Sequence, residues 1–434
     1  MAGITTFMTM AYILAVNPSV LGSTGMDTTA VLLATALASC LGTLCMAFMA
    51  NLPFALSAGM GLNAFMAYTV VAGYGYSWQV ALLAVFIEGL IFIVLSLTNI
   101  REAIFNAIPL TLKKGVSVGI GLFIAFIGLQ NSGLCVDSAT LVGIISFPEN
   151  FHTAGICALL TLIGLFFTAV FYTRKMKGAI LYGILLTWIL GMLCQVTGLY
   201  VPTPDAGFYS LFPSWGMTDF SRLGLTFGQC FNVDFSAVGI VNFIVVIFSF
   251  LFVDIFDTLG TLIGVATKAK MLDKDGKLPG IKPALMADSI ATSAGAILGT
   301  STTTTFVESA SGVAVGGRTG LTALVTGILF LVSTLFAPIF TAIPSFATAP
   351  ALIMVGFLMV GTVTEINFDL DNLTESIPAY LAIIAMPLFY SISEGISLGV
   401  ISYVLLNVAA GKGKKVAPLM RSEERRVGKE WRSR

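Results

Sequence analysis

The chain is poor in charge: 10% of its 434 residues are Asp, Glu, Lys or Arg, against about 25% in an ordinary soluble domain. It has a single histidine, His152, placed by the sequence in a loop, which excludes a histidine-based triad or a histidine metal cluster. Six cysteines (Cys40, Cys45, Cys135, Cys157, Cys194, Cys230) show neither pairing nor metal-ligand spacing and read as small packing residues. The apolar stretch near the start, ITTFMTMAYILAVNPSVL, lacks the basic lead and small-residue cleavage site of a signal peptide. Every Lys and Arg is expected in a loop, so no base neutralises an acid inside an apolar run.

What fills the chain instead is hydrophobic: 57% of residues, with a mean hydropathy of +0.95. Apolar runs of about twenty residues recur along its length, which marks an all-α polytopic membrane protein rather than a soluble one. Fourteen segments are expected, at 3–21, 29–50, 54–72, 78–98, 115–133, 154–172, 178–197, 238–260, 283–299, 303–317, 321–341, 348–363, 376–391 and 394–410. With the N-terminus inside, bases follow spans 4, 6, 8, 10 and 14 (among them Arg101, Lys113, Lys114, Arg174, Lys268, Lys274, Arg318 and Lys415), and only Arg222 falls opposite. That asymmetry predicts both termini in the cytoplasm and a multi-pass protein of the cytoplasmic membrane. Residues 421–434, RSEERRVGKEWRSR, hold six of the 22 bases, differ abruptly from the rest, and read as a non-native tail. Met1 stands almost at the first span, with no cytoplasmic lead.

A weak internal repeat is visible. AVFYTRKMKG before span 7 and PLFYSISEG before span 14 share an aromatic pair and a polar break. A seven-span unit is odd in number, so the second copy must be inserted upside down, as in transporters whose site lies where two inverted repeats meet. In such folds short or broken spans at matching positions point to the site, and spans 3 and 10 qualify. Span 3, LPFALSAGMGLNAFMAY, loosens at Pro53, Gly59 and Gly61 before Asn63. Span 10, GTSTTTTFVESASGVAVGG, carries the β-branched run Thr302 to Thr305, which favours extended backbone, then Glu308 and Ser309 opening a half-helix. Close packing of small residues is the alternative reading of both.

Two carboxylates, Asp254 and Asp257, stand three residues apart in LFVDIFDTLG of span 8. A charge there costs roughly 2.5–3.5 kcal/mol on insertion scales, so an intramembrane acid is a functional candidate. At i and i+3 the pair shares nearly one face and is expected to meet Asn63 and Glu308 from the broken spans. Two acids in a low-dielectric site do not both ionise comfortably, and an acid that exchanges a proton is what a proton-coupled carrier needs. The competing role for either aspartate is to accept bonds from broken backbone. Glu88 in span 4 stands equally between packing support and coupling.

At these residues the chain resembles a known family. AGITTFMTMAYIL, ALSAGMGLNAF, VDIFDTLGTLIG, TSTTTTFVESASGVAVGGRTG and APALIMVG together resemble the nucleobase:cation symporter superfamily, in its adenine/guanine/hypoxanthine purine permease branch. The resemblance runs from about Gly3 to Met420 and implies two inverted seven-span repeats. It assigns spans 1–4 (residues 1–99) and 8–11 (236–343) to a core domain, and spans 5–7 (100–235) and 12–14 (344–410) to a gate domain. It implies proton symport of a purine base, with Asn63, Asp254, Asp257 and Glu308 as binding positions by motif; the residues themselves add Ser309 as a candidate on the base, and Asp257, Asp254 and Glu88 as candidates for coupling. The uracil and xanthine branches place a histidine in span 8, where this chain has none.

The chemistry agrees. Hypoxanthine and guanine present an N1–H beside a carbonyl, and guanine adds an exocyclic amine. Glu308 suits that edge as a charge-assisted acceptor, and Phe65, Phe252, Phe256 or Phe306 is placed to stack on the ring. The expected partners are a purine base, a proton and the lipid bilayer, with a homodimer left open, no nucleic acid, no metal, and no cofactor beyond the proton gradient. An enzyme is not expected. The rivals are an anion transporter of the same architecture, which would want a positive site, and an intramembrane aspartyl protease, whose acids would stand on separate helices. A channel, the third rival, finds no filter or charge ring here.

Overall fold

In the computed structural model, residues 1–98, 109–138, 141–203, 208–213, 216–234, 238–268, 270–271, 278–369 and 372–413 are described. Arg101, Lys274, Lys277, Lys415 and the 421–434 tail lie outside them, as does the side chain of Lys268. Each apolar segment expected from the sequence falls on a helix, except that 54–72 and 303–317 each divide into a short strand and a helix. We number the helices α1 (Ala2–Gly22), α2 (Thr28–Ala50), α3 (Met60–Gly73), α4 (Trp78–Leu97), α5 (Leu110–Asn131), α6 (Phe151–Thr173) and α7 (Ala179–Val196). The second half holds α8 (Ile240–Lys268), α9 (Ile281–Leu298), α10 (Ser309–Ala314), α11 (Gly320–Thr341), α12 (Ser345–Glu365), α13 (Leu373–Leu388) and α14 (Ile392–Ala409). Ten helical stretches among the described residues are long and apolar enough to cross a membrane, and α3 and α13 are shorter apolar helices.

Local chemistry sets the ends. Asp27 caps α2 by accepting from the Ala30 N–H at 2.9 Å, and Ser391 caps α14 through the Glu394 N–H at 3.3 Å. Gly299 ends α9 in the left-handed region at φ 104°. The breaks before α7 and α14, where the repeat was read, each hold a non-glycine residue in that region, Lys175 and Tyr390. The start of α5 corrects the loop assignment of two bases: Lys113 and Lys114 stand in its first turn, as Lys282 does in α9. Long lysine stems at a helix end reach back toward the interface, so they do not end the helix. His152, expected in a loop, stands in a π-helical turn at the head of α6.

Among the described residues there are also two short 3-10 helices, Phe220–Leu225 and Gln229–Phe231, and four short strands: β1 (Leu56–Ala58), β2 (Cys135–Ser138), β3 (Leu141–Ile144) and β4 (Thr303–Thr305). β2 and β3 form a hairpin between α5 and α6. β1 and β4 come from opposite halves of the chain and pair antiparallel, with Leu56 opposite Thr305, Ser57 opposite Thr304 and Ala58 opposite Thr303. α9 packs on α2 and α4, α11 on α1 and α2, and α8 on α4. In a second set α12 packs on α5, α6 and α7, and α13 on α5 and α14. The sets meet where α5 touches α3 and α8, and where α1 touches α7 and α12.

Candidate functional site

The crossing of β1 and β4 is non-helical backbone in the interior of an apolar helical protein. Such backbone survives only if its polar groups are satisfied by the protein itself. The sequence supplies hydroxyls for this purpose. Thr35, Ser39 and Thr43, at successive i+4 positions of α2, form a buried stripe. The Thr43 hydroxyl accepts from the Leu56 N–H at 3.0 Å and lies 3.2 Å from the Leu56 carbonyl, and Ser39 meets Ser57 at 2.7 Å. Thr292 of α9 donates to the Thr303 carbonyl at 3.1 Å. Main-chain bonds flank the strands, from Gly59 N–H to Thr302 O and from Phe306 N–H to Ala55 O, both at 3.0 Å.

Each strand hands on to a helix at once. α3 begins after Gly59, and α10 begins after Glu308. Gly59 is needed for closeness: a Cβ there would stand 3.0 Å from Thr304 Oγ1 and 3.2 Å from Asp257 Oδ2. Asp257 of α8 therefore sits directly on the strand crossing, its Oδ2 accepting from the Thr304 hydroxyl at 3.3 Å. Its carboxylate is within electrostatic reach of Asp288 of α9 and of Glu308. Glu308 is half-buried and accepts a hydrogen bond from the Tyr12 hydroxyl at 2.8 Å. Tyr12 stands at the break between the two helical halves of α1, and its ring lies 6.5 Å from that of Phe306.

The other expected residues divide. Asn63 is fully buried in α3; its carbonyl oxygen accepts from the Ser301 hydroxyl, while its Nδ2 has no protein partner. Glu88 is fully buried and accepts from the Thr302 hydroxyl at 2.8 Å, which ties α4 to the segment leading into β4. The Ser309 hydroxyl accepts from the Ala55 N–H at 3.0 Å, which joins α10 to the segment leading into β1. Asp254 has a different hydrogen-bond partner from Asp257, although Asp288 lies near both. It accepts from Thr258 at 2.7 Å, and the same hydroxyl lies 3.1 Å from Asp288 of α9, all three side chains being fully buried. One turn of α8 thus separates an acid on the strand crossing from an acid facing α9.

Of the aromatic candidates, Phe306 is buried beside Tyr12, and Phe65 packs edge-on against Phe250 at 4.9 Å. Phe252 is half-buried, and the side chain of Phe256 lies outside the described residues. Sequence reasoning did not pick out Tyr12, Thr304 or Asp288. Asp288 carried the same signal as Asp254, an acid inside the apolar run ALMADSIATSAGAIL. Among the described residues no group of three or more His, Cys, Asp and Glu side chains is arranged to hold a metal.

Comparison with known proteins places this arrangement. The Permease family model Xan_ur_permease matches residues 1–398. The chain is 46% identical over 428 residues to the guanine/hypoxanthine permease PbuG of Bacillus subtilis, covering 96% of this chain and 92% of that one. It is 41% identical over 414 residues to the adenine permease AdeQ of Escherichia coli, covering 95% and 87%. Among solved structures it is similar to the transmembrane domain of the bicarbonate transporter BicA of a cyanobacterium, with TM-score 0.62 and 16% identity, covering 92% of this chain and 96% of that one. That likeness is one of fold, an all-α membrane architecture of inverted repeats. The broken segments, the interior acids and these matches converge: the chain belongs to the permease family, as a membrane transporter and not an enzyme, in the branch that includes guanine/hypoxanthine and adenine permeases.

Proposed function

We propose that the protein is a symporter that carries a purine nucleobase, guanine or hypoxanthine with adenine as a further substrate, together with a proton. The observation that carries this reading is Glu308 at the β1–β4 crossing, half-buried and held by the Tyr12 hydroxyl. A carboxylate there accepts from ring N–H donors, and a purine base offers N1–H and, in guanine, an amine at its edge. The relatives named guanine/hypoxanthine and adenine permeases support the substrate class. An anion carrier shares the fold, but acids at the crossing repel its cargo. Asn63, with an unpartnered buried amide, is assigned to the base. Ser309 joins the strands and is assigned to the site's frame rather than to the base.

The division of labour between the aspartates follows from their surroundings. Asp257 joins Glu308 on the substrate side. Asp254 and Asp288 share the Thr258 hydroxyl, so two buried acids from different helices face one another across it. We assign the coupling proton to this pair, with Glu88 as support through Thr302. The helix set α1–α4 with α8–α11 is assigned as the core domain and α5–α7 with α12–α14 as the gate, rocking against each other in the cytoplasmic membrane with both termini inside. A homodimer is compatible with this scheme.

Uptake of radiolabelled hypoxanthine into cells without their own purine permeases, with and without a protonophore, tests the reading. Uptake that collapses with the protonophore supports it. No uptake of any purine contradicts the substrate class, and uptake indifferent to the protonophore contradicts the coupling.

A further inference from the structure

Tyr12 contributes nothing that the chain's hydrophobicity explains. It is 1% exposed, in the first helix, yet its hydroxyl reaches across 296 residues to the one acid that opens a half-helix in the second repeat. A phenol in that position is a donor to the carboxylate. It uses one lone-pair direction of Glu308 Oε1 and fixes the plane of the carboxylate relative to the strand crossing.

The contact is built to hold its place. α1 presses against α10 and α11 so closely that a Cβ on Gly312 would stand 2.0 Å from Thr6 Oγ1, and one on Gly3 would stand 2.6 Å from the Thr322 carbonyl. Tyr12 follows this seam at the break of α1, which brings its hydroxyl to Glu308. The Tyr12 ring also lies against Phe306, tilted by 44° at 6.5 Å, which makes one flank of the site aromatic and fixed. Carboxylate, donor and ring wall thus come from α1 and the β4–α10 junction as one rigid unit, the arrangement that specificity for a donor pattern requires.

We propose that Tyr12 is a specificity-determining residue of the transporter: by holding the Glu308 carboxylate in one orientation, it selects bases with an N–H at ring position 1 over bases with a bare nitrogen there. The inference rests on the purine reading above and deepens it. A misplaced hydrogen bond to a charged group forfeits about 1.5–3 kcal/mol, so freeing the carboxylate should cost the N1–H base about tenfold or more in affinity, while a base without that donor has little to lose. Tyr12 is a positioning residue in this account, acting through Glu308.

The test is competition against radiolabelled hypoxanthine uptake by unlabelled hypoxanthine (N1–H) and by unsubstituted purine (bare N1), in the parent and in Tyr12→Phe. The ratio of the two inhibition constants does not depend on how much protein reaches the membrane. The parent should prefer hypoxanthine, and Tyr12→Phe should compress that preference about tenfold, chiefly by weakening hypoxanthine. Tyr12→Leu, which also removes the hydroxyl, should compress the ratio likewise if the phenylalanine variant is poorly inserted. An unchanged ratio overturns the proposal, as does an equal loss for both competitors. A parent that hypoxanthine does not inhibit at all overturns the purine reading itself, and this inference with it.

Discussion

Glu308 and Asp257 differ from the other interior acids in what surrounds them, and their chemistry follows from that. Asp257 is held on Thr304 beside a glycine, whereas Asp254 faces Thr258 and Asp288. Glycine at position 59 is what allows the close approach, so Gly59→Ala should push on Asp257 and Thr304 by a few tenths of an ångström and raise the KM for purine several-fold, with membrane insertion unchanged. Initial uptake rates over a substrate series check this, and an unaltered KM would show that the crossing does not touch the base. Asp288→Asn should leave purine exchange intact and abolish accumulation against a gradient, because an amide mimics the protonated acid but cannot release the proton. Counterflow and net uptake measured on the same vesicles separate the two. Both aspartates of span 8 stood out because an acid in an apolar run is costly to bury. Their separate hydrogen-bond partners did not, since i, i+3 spacing does not say which neighbour each will meet. Tyr12 was illegible for a different reason: one of eleven tyrosines in an apolar helix carries no signal until its partner is folded onto it.

At the scale of elements, the central fact is that two interrupted segments satisfy each other. Thr302 to Thr305 read as extended because β-branched residues crowd a helix, and Thr303–Thr305 is a strand. Its antiparallel partner, Leu56–Ala58, was signalled only by Pro53 and the glycines that follow. Polar satisfaction at the crossing depends on hydroxyls from α2, α9 and α10, whose sequence reads as ordinary small-residue packing. Ser309→Ala would strand the buried Ala55 N–H, at a cost of about 1–3 kcal/mol. Thermal unfolding of the purified protein should move several degrees lower, while base selectivity, which Ser309 does not touch in this account, stays at the parent's ratio. A selectivity change at unaltered stability would instead return Ser309 to the base. The helix starts of α5 and α9 fell earlier than the apolar pattern allowed, because lysines in a first turn are polar without being helix-breaking.

Across the whole molecule the two helix sets touch along a limited seam, which is what a rocking mechanism needs. One point on that seam suits a reversible lock. A Cβ built on Gly178, at φ 77° at the head of α7, lies 3.6 Å from the Met8 Cβ of α1, within disulfide range, and 2.9 Å from the Met8 carbonyl oxygen, so the backbone there must shift to admit a cysteine. Met8→Cys with Gly178→Cys should carry purine when reduced and lose most uptake when oxidised, recovering with a thiol reductant. Oxidised transporter at full rate would contradict motion along that seam. The helical architecture was the most legible scale, because periodic hydrophobicity acts over the whole chain and is insensitive to any single contact.

The central claim is that the β1–β4 crossing, with Glu308 at its edge, is where a purine base sits. Calorimetric titration of hypoxanthine into the purified parent and into Glu308→Gln tests it most directly, since binding is read without transport or coupling. The account predicts that the parent binds and that the variant loses about 10- to 100-fold in affinity, the range expected when a charged acceptor is neutralised. Equal affinity in the two proteins would contradict it.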